Sequence, residues 1–387
     1  MKQRYLNYYS HDEWNNLLRF SKNLETPFLV VFKDKVRKKF ESFRNCFPQA
    51  KIYYAVKANP GTPLLALLRD LGSCFDVASI HELNQVLALG VLPDRVSFGN
   101  TIKKARHVSE AYEKGVRLFA TDSEADVRQL AKAAPGSRVF FRLLMDAVTS
   151  DSDWPLSRKF GCQPRMLADL VALTAELGLE PYGISFHVGS QQREIQAWDA
   201  AIAKVSGLLE LLAGAQLPLQ AINMGGGFPA DYLVKCNSLM VYAEEINHYL
   251  TTHFGDAIPK IYLEPGRGLV GESGVLVSEI ILIAKKARTD LKRWVYTDAG
   301  VFSGLMETLG ESIKYPIHTH REGERGTVIL AGPTCDSIDI MYEEYPYQLP
   351  LSLTIGDRLY WLATGAYTAS YSAIEFNGFP PLKTYYL

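Results

Sequence analysis

Ile52-Tyr53-Tyr54-Ala55-Val56-Lys57-Ala58-Asn59-Pro60 is the stretch on which the fold turns. Five apolar, branched or aromatic residues in a row read as a buried strand. The strand ends on Lys57. An ammonium at such a place costs several kcal/mol unless it is paired or neutralised. A lysine that forms a Schiff base solves this by giving up its charge. A lysine that snorkels from a rim into water solves it too, and on this strand alone that is the commoner case.

Seven further short apolar runs follow at fairly even spacing. They are Phe75–Ala78, Val96–Phe98, Leu118–Ala120, Val139–Leu143, Gly183–His187, Ala221–Met224 and Ile261–Leu263. Helical stretches are expected between them. Ser123 with Asp126 resembles a capping box, with Val127, Leu130 and Ala131 following at helical spacing. Met166, Leu167, Leu170 and Val171 form a second apolar stripe, and Trp198, Ala201, Ile202, Val205, Leu208 and Leu209 a third. Eight strands alternating with helices over roughly 210 residues match a (β/α)8 barrel in count and length. A doubly wound open sheet is the alternative, and strand count does not separate the two. The barrel is favoured by where the chemical residues fall, at the C-terminal ends of successive strands.

After about Glu264 the pattern changes. Val275–Ala284, Arg293–Thr297, Thr327–Ala331 and Arg358–Leu362 read as strands with little helix between them, and Thr26–Phe32 reads as another. The expected fold is therefore α/β, a (β/α)8 barrel with a second, mainly β domain. The expected division is a cofactor-binding barrel over residues 27–262 and a β-rich domain from residues 1–26 and 263–387. No repeat of 20 to 50 residues and no low-complexity tract stands out.

Composition narrows the function classes. The 387 residues are 47% apolar and 21% charged, which excludes a disordered chain. Lys plus Arg number 41 and Asp plus Glu 42, for a net charge of −1. That is too little positive charge for a protein whose main work is binding nucleic acid. Cys46, Cys74, Cys162, Cys236 and Cys335 are scattered with no C-x-x-C pair, so neither a disulfide framework nor a metal site is expected. Met1 to Trp14 holds no apolar signal core. The longest apolar candidate, Val275–Ala284, is short and carries Glu279. A cytoplasmic chain with a small-molecule substrate and no membrane partner is expected.

Three motifs carry the chemistry. Gly225-Gly226-Gly227 follows a strand at once, which lets backbone N–H groups approach an anion closely. A tight turn explains three glycines about as well. Glu264-Pro265-Gly266-Arg267 follows the eighth strand, and barrel phosphate sites often use the loops after strands seven and eight. His187-Val188-Gly189-Ser190 closes the strand before them; alone, His187 reads as an ordinary core histidine. A lysine, a carboxylate, an imidazole and two glycine-bearing loops at one barrel end suit a phosphorylated carbonyl cofactor, with pyridoxal 5′-phosphate the obvious candidate.

These segments also occur in a familiar order. Together with Phe75-Asp76-Val77-Ala78-Ser79, Gly332-Pro333-Thr334-Cys335-Asp336 and Gly365-Ala366-Tyr367-Thr368, the chain resembles the pyridoxal-phosphate-dependent basic amino-acid decarboxylases of the alanine-racemase-like fold, above all the bacterial ornithine decarboxylases. The resemblance spans residues about 54 to 380. It implies that Lys57 holds the cofactor, that Glu264 pairs with the pyridinium nitrogen, and that His187 stacks on the ring. It places Ser190, Gly226, Gly227, Gly266, Arg267 and Tyr367 at the phosphate, and Asp76 and Glu82 near the lysine and ring. It implies a homodimer with shared sites, in which Cys335 and Asp336 enter from the second subunit and Cys335 protonates the substrate carbon. A carboxylate at Glu264 favours decarboxylation over racemisation. Lysine or a modified basic amino acid, bearing an acyl or guanidino group, is the alternative substrate to ornithine. A non-catalytic regulator like the antizyme inhibitors is the alternative of another class, and intact Lys57, Glu264 and Cys335 argue against it.

One departure falls on the substrate side. In Glu307-Thr308-Leu309-Gly310-Glu311-Ser312 the chain has Gly310 where such enzymes carry an aspartate for the substrate's distal amine, and Val301 where bacterial relatives often have lysine. Glu311 or Asp336 could take over the amine contact. Alternatively Gly310 opens room for a longer substrate, or Glu311 is itself the aspartate's counterpart.

Overall fold

The computed structural model describes residues 4–145, 152–154 and 159–387. By contacts the chain divides into two units. One comprises Arg37–Pro229 and Cys236–Leu269, the other Met1–Val36, Ala230–Lys235 and Val270–Leu387.

The first unit is a closed eight-stranded parallel barrel. Its strands are Ala50–Ala55, Cys74–Val77, Val96–Phe98, Leu118–Thr121, Arg138–Arg142, Glu180–Ser185, Ala221–Asn223 and Lys260–Leu263. All eight runs read from the sequence are there, with ends shifted by at most three residues and Val96–Phe98 not at all. Closure is direct, because Ile261–Leu263 pairs in parallel with Ala50–Ile52. The interior is filled by Tyr53, Leu118, Ala120, Phe140, Tyr182, Ala221 and Tyr262. The Tyr182 and Tyr262 hydroxyls satisfy one another at 2.7 Å, as buried phenols must.

Helices cover the barrel with the faces that their apolar spacing dictates. Gln196–Gly214 buries Trp198, Ala201, Ile202, Val205 and Leu208. Pro164–Glu176 buries Leu167, Leu170 and Val171, whereas Met166, expected in that stripe, is exposed. The capping box expected at Ser123 does not form: Ser123 is the N-cap of Glu124–Ala133 but makes no side-chain cap bond. Its partner Asp126 turns instead to Lys103, whose ammonium lies 2.7 Å from the Asp126 carboxylate and also donates to the Ala120 and Asn100 carbonyls. A buried ammonium needs all its donors satisfied, and that demand outweighs a cap bond.

The second unit is an eight-stranded, mostly antiparallel sheet. Its central path runs Ile317–His318, Arg358–Leu362, Gly274–Ala284, Arg293–Thr297, Arg325–Ala331, Ile340–Pro350. Phe28–Val31 pairs with Gly274–Val277 on one side and with the terminal strand Lys383–Tyr386 on the other. Residues 27–36 thus fold with the β unit, and 263–269 with the barrel, where the expected boundaries lay at 27 and 262. Hydrogen bonding to Gly274–Ala284 decides the first shift.

The strand Ile340–Pro350 was not expected, since Glu343, Glu344 and Pro346 break its apolar pattern. It is held by long-range pairing to Arg325–Ala331, with Val328 opposite Tyr347 and Leu330 opposite Tyr342. Four residues, 343–346, therefore bulge out against Ile329 alone.

Candidate active site

Lys57 sits on a single 3-10 turn, Val56–Ala58, directly after the first barrel strand, and its side chain is exposed. It is not a buried ammonium but lies at the open C-terminal mouth, where a barrel builds its site. Its charge acts on Asp76, Glu82 and His187, which end or follow the next strands. Glu82 also accepts the Ala78 N–H at 2.7 Å at the start of its helix. Burial raises the Glu82 carboxyl above its ordinary value, against the lowering pull of Ala78 and Lys57.

Asp76 is buried, and its Oδ1 has no hydrogen-bond partner among the described residues. Burial, then the nearby Glu264 charge, holds it well above the usual carboxylate range, with Lys57 opposing. Its carboxylate occupies the space where a Cβ of residue 99 would stand, so Gly99 is what admits it.

Glu264 is fixed by Asn223, whose side-chain amide donates to its Oε1 at 2.5 Å while its Oδ1 accepts the Gly225 N–H at 2.9 Å. The glycine loop and the Glu264 loop are tied directly, because the Glu264 N–H donates to the Gly225 carbonyl at 2.7 Å. His187 has its pKa lowered to about 3, first by burial and then by Arg142 and Lys57, so its ring is neutral at working pH. Arg267 is buried and its guanidinium donates to the Ser190 hydroxyl at 3.2 and 3.4 Å. Gly226 and Gly227 pack so closely on the Glu264 carbonyl and on Gly189 and Val188 that a Cβ would meet them at 2.6–2.8 Å. Gly266 lies between Glu264 and Arg267, buried.

The barrel thus brings Lys57, Asp76, Glu82, His187, Ser190, Gly226, Gly227, Glu264, Gly266 and Arg267 to one mouth. It adds three residues the sequence reading passed over: Arg142, Asn223 and Gly99. Arg142 interacts electrostatically with Glu264, Asp122 and Asp76 and stacks on Phe160. A cation and an amide ending two otherwise apolar strands were the signals available for Arg142 and Asn223.

The remaining candidates belong to the β unit. Cys335 and Asp336 lie in an exposed turn, where the Asp336 carboxylate accepts the Ile338 N–H at 3.0 Å. Tyr367 is half-buried with its backbone at φ 55° and its ring 5.5 Å from that of Tyr371. Val301 is fully buried. Gly310 is exposed at φ 60°, and a Cβ there would meet nothing closer than the Ser312 hydroxyl at 4.0 Å.

Glu311 uses its carboxylate within the β unit. It accepts the backbone N–H groups of Glu343 and Glu344 at 2.7 Å and of Tyr345 at 2.9 Å. These are the donors that the bulge leaves without strand partners. These bonds give Glu311 a structural duty beside the amine contact that two of the three readings of this segment assign to it.

Residues 33–271 match the family model described as pyridoxal-dependent decarboxylase, pyridoxal binding domain. The chain belongs to the pyridoxal-dependent decarboxylases. It is 33% identical over 360 residues to a lysine/ornithine decarboxylase of Selenomonas ruminantium, covering 93% of this chain and 89% of that one. A structure of SrLDC with pyridoxal phosphate and cadaverine superposes with a TM-score of 0.86 at 32% identity, over 97% of this chain and 93% of that one. An arginine decarboxylase of Paramecium bursaria Chlorella virus bound to agmatine gives 0.86 at 26% identity, over 96% and 100%. The cofactor of this carboxy-lyase is pyridoxal 5′-phosphate. The mouth fits it: an amine for the carbonyl, an oriented carboxylate for the ring nitrogen, a neutral imidazole, and a glycine loop beside Arg267 and Ser190 for the phosphate.

Among the described residues no helix is long and apolar enough to cross a membrane, and no cluster of His, Cys, Asp or Glu could hold a metal ion.

Proposed function

We propose that the decarboxylase acts on L-ornithine or a closely related basic amino acid, releasing a diamine and CO2, and that it works in the cytoplasm. The observation that carries this reading is the mouth itself, in which Lys57, Asp76, His187 and Glu264 form one electrostatic cluster on a chain similar to a lysine/ornithine decarboxylase. Pyridoxal phosphate, when bound, supplies the sink for the electron pair released as CO2 leaves. Lys57 holds the cofactor through its amine. Glu264, aimed by Asn223, keeps the ring nitrogen protonated. His187 stacks without adding a positive charge that would compete with Glu264. Arg267, Ser190, Gly226, Gly227, Gly266 and Tyr367 bind the phosphate. Cys335 delivers a proton to the substrate Cα, a task that suits a weak acid near neutral pH.

Cys335 and Asp336 reach a site only from a second copy in this reading, making the protein a homodimer. Exposed Ile338, Ile374, Phe376 and Phe379 in the same unit support it. Mixing inactive Lys57→Ala and Cys335→Ala subunits should restore activity; no restoration counts against shared sites.

Gly310 favours a second reading. Open space at position 310 and the backbone bonds of Glu311 support a longer or derivatised basic amino acid as the alternative substrate. CO2 release from ornithine, lysine, arginine and N-substituted ornithines decides between the two. If none releases CO2, and Lys57→Ala leaves the visible absorbance unchanged, the enzyme reading fails and a regulatory protein remains.

A further inference from the structure

Three loops of the β unit are stitched around Cys335. Behind it lies Asp339, fully buried. One carboxylate oxygen of Asp339 accepts the Val301 N–H at 2.8 Å; the other accepts the Thr334 N–H at 3.0 Å and the Thr334 hydroxyl at 2.7 Å. Its carbonyl also takes the Gly332 N–H at 2.8 Å. The loop of Val301 is joined in turn to the C-terminal segment. The Ala373 N–H donates to the Phe302 carbonyl at 2.8 Å, and the Phe302 and Phe376 rings pack with centroids 4.6 Å apart. A single bond closes the circuit: the Cys335 N–H donates to the side-chain Oδ1 of Asn377 at 2.9 Å, across 42 residues of chain.

The local backbone is shaped for that bond. Glu375, Asn377 and Gly378 have φ of 59°, 50° and 78°, three left-handed residues within four positions. Asn is the ordinary side chain that tolerates this conformation best while offering an acceptor. Asp339 fixes the turn through Thr334, one residue before the thiol. On the far side, residues 335–338 are held by the short Asp336–Ile338 turn and by the Asp339 N–H, which donates to the Asp336 carbonyl at 3.1 Å; Asn377 adds the bond to the Cys335 N–H itself.

We propose that Asn377 is a positioning residue for the proton-donating Cys335, setting where its thiol lies when the substrate carbon is protonated. The proposal rests on the reading of Cys335 given above. Protonation at a carbon is sensitive to donor position, and a displacement of about 1 Å can cost a large factor in rate.

Asn377→Gly and Asn377→Asp test it in the cofactor-loaded enzyme. Glycine keeps the left-handed backbone and removes the acceptor; aspartate keeps both. The expected result for Asn377→Gly is a kcat reduced about three- to tenfold, the size of one ordinary hydrogen bond. KM stays within about twofold, the yield of diamine per CO2 drops below that of the wild type, and Cys335 alkylates faster by mass-resolved iodoacetamide labelling. Asn377→Asp restores all of these. An Asn377→Gly enzyme with wild-type labelling overturns the proposal, as does altered labelling with unchanged kcat and diamine yield. If Cys335→Ala itself keeps the wild-type rate and yield, the reading of Cys335 fails and takes the proposal with it. The labelling of cofactor-free protein separates that failure from a missing Asn377 bond.

Discussion

Replacing Glu311 by alanine should destabilise the β unit and leave substrate binding alone. Its carboxylate is shared by three N–H groups of the 343–346 bulge. A hydrogen bond to a charged acceptor is worth about 1.5–3 kcal/mol where water cannot replace it. Glu343 and Glu344 are exposed, so their N–H groups turn to water at little cost, and the half-buried Tyr345 N–H bears most of the loss. The expected destabilisation is then about 2 kcal/mol, or about 4–8 °C if the β unit melts as a body of its own size. Glu311 has φ 54°, and alanine inherits that strain, so the Glu311→Ala value isolates the lost bonds. Glu311→Gln, which keeps one carbonyl acceptor, should fall between. Thermal melting and steady-state KM for ornithine and lysine are the measurements. A KM raised tenfold or more with unchanged melting would show that Glu311 meets the substrate and that its bonds to the bulge are incidental.

Gly99→Ala should cost at least about fivefold in cofactor affinity, because its Cβ displaces the Asp76 carboxylate and overpacking costs about 1–3 kcal/mol; titration with pyridoxal phosphate reads this, and wild-type affinity refutes it. Gly310→Asp should fold with a penalty of about 1 kcal/mol or less for an aspartate at φ 60°, and should shift kcat/KM toward substrates with a free distal amine; an unchanged ratio of ornithine to N-substituted ornithine means the glycine does not set specificity. His187 predicts a pH dependence of stability. Its folded-state pKa is about 3 against an ordinary 6.5, so the unfolded chain gains the proton first as pH falls. Stability is intact above pH 6.5 and declines from there toward pH 3, and His187→Asn should flatten that decline in denaturant midpoints taken across the window.

The barrel was legible because its strands are buried on both faces, so each shows as a short apolar run whatever its partners. The chemistry at the mouth was legible for a related reason: Lys57, His187, Gly225–Gly227 and Glu264 each end or follow one of those runs, and a barrel brings all such ends to one side. The residues that aim these groups were less visible. Nothing in the sequence says that Asn223 braces Glu264, or that Gly99 leaves room for Asp76, since both contacts cross from one strand end to another.

Phe28–Val31 reads as a strand but lies beyond the boundary expected at residue 27, and only its pairing with Gly274–Val277 assigns it to the β unit. The strand Ile340–Pro350 was hidden because two glutamates and two prolines interrupt it, and it persists through pairing and a bulge that side chains elsewhere support. Glu311 shows the division most clearly. Sequence alone determined that an acid stands next to Gly310, in a segment that resembles a substrate-binding one. Tertiary structure decided what the acid does, because three backbone donors 32 to 34 residues away have no other strand partner and a carboxylate within reach satisfies them.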